Sequence, residues 1–200
     1  MIIGITGGSG SGKSTLLNEL KKLGALVLDC DAIYHDLLRH DPVLLATIEA
    51  RFPGTVENGN LQRKKLGEIV FSDKNDLLAL NKITHTAIRD EVLRQLEQQP
   101  ALAAIDAIGL FESGMDRLCD VTVAVVAPKD VRIQRLMARD GITSEYAQSR
   151  IDAQPDDDHF QALCTYTLEN SRDEMAFQAK CLAFFKELGI MKAETKEDSL

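Results

Sequence analysis

The N-terminal sequence reads Gly7-Gly8-Ser9-Gly10-Ser11-Gly12-Lys13-Ser14, directly after the mainly apolar residues 1–6. It matches the pattern G-x-x-x-x-G-K-[ST] at every position. Apolar residues at 16, 17, 20 and 23 have helical spacing, so the predicted order is strand, glycine-rich loop and helix. In that context backbone N–H groups and the positive end of the helix surround a phosphate group. The sequence therefore predicts a phosphate-binding loop (P-loop).

The P-loop predicts a role for each of its polar groups. Its glycines let the backbone wrap closely around a β-phosphate, and Lys13 is expected to reach the β- and γ-phosphates. The Ser14 hydroxyl is expected to ligate Mg²⁺, and Thr15 to contact the α-phosphate. A glycine-rich turn that binds nothing is the alternative, and the complete motif in its expected context disfavours it. The predicted nucleotide-binding residues of the loop are Gly8, Gly10, Ser11, Gly12, Lys13, Ser14 and Thr15.

Strand and helix patterns alternate along the rest of the chain. Strands are predicted at residues 1–6, 25–28, 101–108, 120–127 and 166–168. Helical patterns cover most of 32–99, where no convincing strand is expected, and recur at 129–139, 144–153 and 172–188. This alternation favours an α/β fold, with a five-stranded parallel sheet covered by helices on both faces and ligands at the carboxyl ends of the strands.

Composition and charge narrow the class of protein. The 200 residues are 44% hydrophobic and 27% charged, as in an ordinary single-domain globular protein. A formal net charge of −8 argues against a nucleic-acid partner, because phosphate-backbone affinity requires basic surface. No apolar stretch approaches the roughly 20 residues of a membrane-spanning helix, and no secretory signal opens the chain, so a cytoplasmic location is expected. The four cysteines form no Cys-x-x-Cys pair, which predicts reduced thiols.

Other residues distinguish among the P-loop proteins. The guanine-reading pattern Asn-Lys-x-Asp is missing, since the nearest string is Asn81-Lys82-Ile83-Thr84. Nothing resembles the signature loop of transport ATPases. A single domain of this length favours a kinase that uses ATP on a small molecule, and such a kinase needs a carboxylate at the end of a strand beside the P-loop. Asp29 and Asp31 both follow the second strand, and Asp29 is equally well explained as a helix N-cap.

Three arginines, Arg132, Arg135 and Arg139, lie at i, i+3 and i+7 and are expected on one helical face. Guanidinium groups so arranged suit a polyphosphate. A solvated basic face with carboxylate partners is the alternative for Arg132 and Arg135. Arg139 precedes the flexible pair Asp140-Gly141, which would let it close over ATP.

These residues together resemble the dephospho-coenzyme A kinase family. The shared residues follow in the same order over nearly the whole chain: Thr6-Gly7-Gly8 through Thr15, Leu23-Gly24, Asp29-Cys30-Asp31, Gly59-Asn60-Leu61-Gln62-Arg63, Val70-Phe71, His85 with Ile88, Leu110-Phe111-Glu112, Arg135 through Gly141, Arg150 with Gln154, and Asn170. Many families share the P-loop alone, but not this collinear set. The chain departs from the family pattern at Thr86, Ile108, Gly109, Cys164 and Thr165. It also departs at Arg132, where the family usually has glutamine.

The resemblance implies a three-layer α/β/α P-loop fold with a helical substrate-binding insertion and a helical lid. It divides the single domain 1–200 into a core (1–31, 101–128 and 160–190), an acceptor-binding insertion at about 32–99 and a lid at about 129–159. Residues 191–200 are polar and terminal, and they are expected to be disordered.

The resemblance also implies functions for individual residues. Asp31 corresponds to the base that takes the proton from a ribose 3′-hydroxyl, and Arg139 to the lid arginine that contacts ATP. Asn170 corresponds to a position near the adenine. Arg63, His85 and Glu112 fall where the family lines its acceptor site.

The resulting hypothesis is an ATP- and Mg²⁺-dependent kinase, monomeric, with Asp31, Lys13 and Arg139 as its catalytic residues and dephospho-coenzyme A as its small-molecule partner. Another small-molecule or nucleoside kinase is one alternative. A nucleotide-binding regulatory relative with weak catalysis is the other.

Overall fold

The computed structural model describes residues 1–171 and 173–191. Its main sheet consists of β1 (Ile2–Thr6), β2 (Leu26–Asp29), β5 (Ala103–Asp106), β6 (Val121–Val126) and β7 (Tyr166–Glu169). All neighbours in this sheet are parallel, in the spatial order β2-β5-β1-β6-β7. The predicted α/β fold with five parallel strands is confirmed. Strand β1 is central, so the P-loop that follows it begins in the middle of the carboxyl edge of the sheet.

Nine α-helices lie in the described residues: α1 (Lys13–Lys22), α2 (Cys30–His40), α3 (Pro42–Arg51), α4 (Arg63–Val70), α5 (Lys74–Leu96), α6 (Lys129–Asp140), α7 (Ser144–Asp152), α8 (Asp157–Leu163) and α9 (Glu174–Glu187). Among these helices, none is long and apolar enough to cross a membrane.

Two apolar cores cover the faces of the sheet. On one face, side chains of β1 pack against α1 and α9 in a cluster that includes Leu16, Phe177 and Phe185. On the other face, β2 and β5 pack against α2 and α5 in a cluster that includes Ile88 and Val92. These buried strands are nearly continuous apolar runs, as expected for a parallel sheet covered on both sides. The molecule therefore has three layers.

The helical section between β2 and β5 has a core of its own. Helices α3 and α4 pack on α5 around side chains that include Ile48, Phe52 and Leu66. Because α5 also contributes to the core beneath the sheet, the section is joined to the sheet through this helix. Its proposed role in acceptor binding, like the lid at 129–159, stays a prediction.

A short hairpin within this section corrects the expectation that residues 32–99 contain no strand. Strands β3 (Val56–Glu57) and β4 (Asn60–Leu61) pair antiparallel across Asn58 and Gly59, which both have positive φ angles, 51° and 73°. Two such residues in succession are typical of a type I′ turn, and Asn-Gly is its preferred sequence.

The predicted disordered tail falls mostly on residues 192–200, which lie outside the described residues. Met191, the first residue of that tail, is described and packs against the core formed by α1 and α9.

Candidate active site

A cavity of about 1080 Å³ opens at the carboxyl edge of the sheet. The residues that line it belong to the P-loop, to the start of α2, to the end of β5, to α6 and α7, and to the segment after β7. From the predicted site it is lined by Gly8, Gly10, Ser11, Gly12, Lys13, Ser14, Thr15, Asp31, Arg139 and Asn170. The strand ends thus bring the predicted nucleotide residues and one predicted base into a single cavity.

The P-loop backbone requires glycine where it approaches its neighbours. Gly10 and Gly12 have positive φ angles of 79° and 105°, a region that favours glycine. A Cβ atom on Gly12 would lie 2.0 Å from the Asn170 amide nitrogen, so a larger residue would displace that side chain. Lys13 donates a hydrogen bond from Nζ to the Gly7 carbonyl oxygen at 2.7 Å, and Ser14 is exposed in the first turn of α1. The loop thus has the conformation that its motif predicts.

Two polar side chains, those of Asn170 and Arg135, donate hydrogen bonds to carbonyl groups of the P-loop. Asn170 is only 4% exposed and donates from Nδ2 to the Ser11 carbonyl oxygen at 2.9 Å. Arg135 donates to the Gly10 and Ser11 carbonyl oxygens and to the Asn170 side-chain oxygen. Asn170, which the resemblance assigned to the adenine region, therefore lines the cavity with its amide bound to the P-loop.

Arg132 lies neither on a face that binds polyphosphate nor on a solvated basic face, the two possibilities that its spacing left open. It is 3% exposed, it does not line the cavity, and it donates from Nε to the Ser9 carbonyl oxygen at 2.9 Å and from Nη1 to Asp157 at 3.0 Å. The first turn of α6 abuts the outer side of the P-loop, so this arginine is enclosed between the loop and α8. Burial lowers its pKa, and the Asp157 carboxylate opposes that effect. Helical periodicity alone could not reveal this enclosure.

The two aspartates after β2 have different environments. Asp29 is the N-cap of α2 and accepts a hydrogen bond from the Ala32 backbone N–H at 3.0 Å. Asp31 lies in the first turn of the same helix, exposed in the wall of the cavity, and has no hydrogen-bond partner within residues 1–171 and 173–191. Of the two open readings of Asp29, the N-cap is therefore observed, although its side chain also borders the cavity.

A third carboxylate, Asp106, was not singled out from the sequence. It ends β5 directly opposite Asp29 in the strand register, and it lines the cavity. Its Oδ1 atom is buried without a hydrogen-bond partner in the described structure. Desolvation raises the pKa of this carboxyl group from 3.8 to about 6, and the charge of Lys13 opposes the rise. The available signal was the apolar run 103–105 ending in aspartate, the same pattern that identified Asp29 and Asp31.

Besides Arg135, the predicted lid contributes Arg139 and Arg150 to the cavity. Both bind the carboxylate of Asp140: Arg139 through Nε at 2.6 Å and Nη2 at 2.9 Å, and Arg150 through Nη1 at 2.7 Å. The hydrogen bonds from Arg139 and Arg150 lower the pKa of Asp140 to about 2. Asp140 is therefore a charged anchor that keeps two cationic groups at the mouth of the cavity.

The three residues predicted for the acceptor site do not line this cavity. Arg63 is the first residue of α4 and is exposed, near enough to Tyr34 for its charge to lower the pKa of that phenol, which burial raises more strongly. Glu112 lies 3.6 Å from His159 Nε2 and also interacts with His85. Burial lowers the pKa of His85, and the Glu112 charge opposes this. His85 and Glu112 are thus close to each other, between α5 and α8.

A P-loop at the edge of a parallel sheet, in one cavity with aspartates and with arginines of α6 and α7, defines a nucleotide-binding protein of the P-loop kinase class. The family model for dephospho-CoA kinase matches residues 1–175, and the chain belongs to this family. The predicted kinase class and family are confirmed. The family catalyses the last step of coenzyme A biosynthesis, and its activity implies the use of a nucleotide and a small-molecule substrate.

Individual relatives agree with this assignment. The dephospho-CoA kinase of Moorella thermoacetica is 37% identical over 194 residues, which cover 94% of this chain and 92% of the relative. TT1252 from Thermus thermophilus, known from a crystal structure, shares 33% sequence identity with this chain, and the two structures match with a TM-score of 0.78. The match covers 94% of this chain and 97% of TT1252. The dephospho-CoA kinase from Campylobacter jejuni is 27% identical with a TM-score of 0.65, covering 95% and 98% of the two chains. The similarity therefore extends over whole chains.

Proposed function

We propose that this chain transfers the γ-phosphoryl group of ATP to the ribose 3′-hydroxyl of dephospho-coenzyme A, giving coenzyme A and ADP. The observation that carries the proposal is the exposed carboxylate of Asp31 in the wall of the P-loop cavity, in a chain of the dephospho-CoA kinase family. A carboxylate without a hydrogen-bond partner in the described structure is available to accept the proton of an attacking hydroxyl.

The charge that develops on the transferring group is stabilised by the P-loop and the lid. Backbone N–H groups of the loop and the ammonium group of Lys13 bind the β- and γ-phosphates, while Arg139 binds the nucleotide from the opposite side. Phosphoryl transfer proceeds through a loose transition state, so position and electrostatics contribute more than proton removal. Asn170 supports this arrangement through its hydrogen bond to the Ser11 carbonyl oxygen rather than through direct chemistry.

The cavity fits Mg²⁺ bound together with a nucleotide. Mg²⁺ prefers oxygen ligands and is usually held by one or two protein groups plus substrate phosphates. The Ser14 hydroxyl and the carboxylate of Asp106, with its buried unpaired oxygen, supply such ligands. Bound there, Mg²⁺ would neutralise phosphate charge.

The acceptor is assigned to the helical section 32–99. This section begins directly after Asp31, so an acceptor held against it reaches the P-loop cavity beside the proposed base. Arg63 and His85 in this section, and Glu112 beyond it, remain the proposed acceptor contacts, although none of the three lines the P-loop cavity. The lid, residues 129–159, would bring Arg139 and Arg150 over the bound nucleotide.

The proposal is tested by ADP formation with and without an acceptor. Purified protein, ATP and Mg²⁺ are incubated with dephospho-coenzyme A, with adenosine or with shikimate, and ADP is measured over time. Of the three acceptors, we expect only dephospho-coenzyme A to give rapid ADP formation. Equal rates with every acceptor, or with none, would contradict the assignment and favour a weak ATPase. Preference for another acceptor would favour another small-molecule kinase.

The oligomeric state, the location and the lack of a nucleic-acid partner also belong to the proposal. We infer a monomer in the cytoplasm, without a nucleic-acid partner, consistent with the net charge of −8 and four unpaired cysteines. Light scattering during size-exclusion chromatography should give a mass near 22.1 kDa. A stable species of twice that mass would overturn the monomer.

A further inference from the structure

The tip of the P-loop is held by side chains that lie outside the proposed chemistry. Ser9 donates its backbone N–H to Gln154 Oε1 at 2.8 Å, and its hydroxyl accepts from Gln154 Nε2 at 2.8 Å. Its carbonyl oxygen accepts from Arg132 Nε at 2.9 Å. Every polar group of Ser9 is therefore engaged by two side chains from residues 129–159. The orientation of the loop at this residue depends on them.

Arg132 is the more deeply enclosed of these two side chains. Its guanidinium group is fixed on the far side by Asp157 at 3.0 Å, and its side chain is 4% exposed against 26% for the aspartate. Nη2 is buried and has no partner among the described residues. An arginine in this position cannot be explained as a solvated surface charge. Its contacts are one carboxylate and one P-loop carbonyl group.

The P-loop glycines fit closely around Arg132. A Cβ atom on Gly8 would lie 2.0 Å from Arg132 Nη2, and one on Gly10 would lie 2.8 Å from the Arg132 carbonyl oxygen. Both distances are too short for a real side chain. Part of the glycine pattern therefore accommodates the first turn of α6 and its arginine, in addition to the phosphate on the inner side.

We propose that Arg132 is a positioning residue for nucleotide binding, acting through the Ser9 carbonyl group. A loop that turns its N–H groups inward to a phosphate turns carbonyl groups outward, where they need donors. A guanidinium group satisfies the Ser9 carbonyl with a charge-assisted hydrogen bond, and Asp157 fixes the guanidinium in place. The loop is thereby ordered before the nucleotide arrives, which reduces the entropy cost of binding. The inference rests on the proposed nucleotide site.

The test separates positioning from stability with three variants. Arg132→Met removes the donors and keeps an unbranched apolar stem. The double variant Arg132→Met, Asp157→Asn also removes the carboxylate that would be left unpaired, so it recovers the stability that the single variant loses. Lys129→Met is the matched control, since Lys129 carries the same charge on the same helix but pairs with Asp152 at the surface, 52% exposed. Calorimetry gives the Kd for ADP with Mg²⁺, and the Tm is measured without nucleotide.

We expect the Kd for ADP to rise about tenfold in both Arg132 variants, the scale of one charge-assisted hydrogen bond, while the Tm recovers in the double variant. The KM for ATP should rise in parallel, and the KM for dephospho-coenzyme A should not change. Lys129→Met should keep the wild-type Kd. A wild-type Kd in the folded double variant would overturn the proposal, because Arg132 would then be a structural residue only. Failure of the proposed function would instead appear as the absence of acceptor-dependent ADP formation in the wild-type protein.

Discussion

Asp29 and Asp31 are two positions apart, yet their carboxylates differ in hydrogen bonding. Asp29 caps α2 through the Ala32 N–H, whereas Asp31 has no hydrogen-bond partner in the described residues. The sequence placed both carboxylates at the end of a strand beside the P-loop, but it could not say which of them would be used by the backbone. Hydrogen bonding at the start of α2 decides this.

Replacing Asp31 by asparagine should lower turnover by roughly 10²-fold or more, with little change in ATP affinity, because the general base is lost while the phosphate contacts stay. Asp29→Asn is the matched control. Asparagine caps a helix as well as aspartate does, so most of the turnover should remain. The two variants are compared by steady-state kinetics and by the Kd for ATP. If Asp29→Asn lowered turnover and Asp31→Asn left most of it, Asp29 would be the general base.

Asp106 should make the stability of the protein depend on pH. Its pKa is raised from 3.8 to about 6 by desolvation, so between these values the unfolded state has released the proton that the folded state still holds. Stability is therefore lost as the pH rises through this window. The loss reaches about 3 kcal/mol and is constant above pH 6.

Asp106→Asn removes this ionisation. The variant should be more stable than the wild type above pH 6, by up to about 3 kcal/mol, and the difference should vanish below pH 4. Urea unfolding at a series of pH values measures it. A difference in the free energy of unfolding that does not vary with pH would contradict the raised pKa of the Asp106 carboxyl group in the folded protein. Turnover should fall in the same variant, since a proposed Mg²⁺ ligand is lost.

At the scale of elements, sequence periodicity predicted the strands and most helices, because buried parallel strands and capped helices have strong local signals. It missed the hairpin at Asn58-Gly59 because each strand is only two residues long. Sequence periodicity also misjudged the environment of Arg132. Spacing shows which residues share a face of a helix, but it does not show which part of the protein packs against that face. The contact of α6 with the P-loop arises only when distant parts of the chain fold together.

The junction of α6 and α7 supports a prediction for the lid. Asp140 binds Arg139 and Arg150 together, so Asp140→Asn should let both arginines move and should weaken their contact with ATP. We expect the KM for ATP to rise several-fold, on the order of one charge-assisted hydrogen bond. The Tm should change little, because exposed ion pairs contribute little stability. Ser149→Ala, at an exposed position of α7, serves as the control. An unchanged KM in Asp140→Asn would contradict the anchoring role.

At the scale of the molecule, the buried cysteines Cys30 and Cys181 report on global unfolding, whereas Cys119 and Cys164 are half-buried. Burial raises the pKa of Cys30, Cys119 and Cys181 from 9.0 to about 12, and that of Cys164 to about 11. The thiolate is the reactive form, so the native protein should react with iodoacetamide at pH 8 far more slowly than the urea-unfolded protein. Mass spectrometry counts the modified thiols. Fast modification of Cys30 or Cys181 in the native state would contradict the burial of these two thiols.

The central claim concerns which atom receives the phosphoryl group, and ³¹P NMR of the product tests it most directly. After complete reaction of ATP and dephospho-coenzyme A, we predict one new phosphomonoester signal, coupled to the ribose 3′ proton and equal in amount to the ADP formed. Free inorganic phosphate in place of that signal, or a phosphate bonded to any other position of the acceptor, would contradict the account.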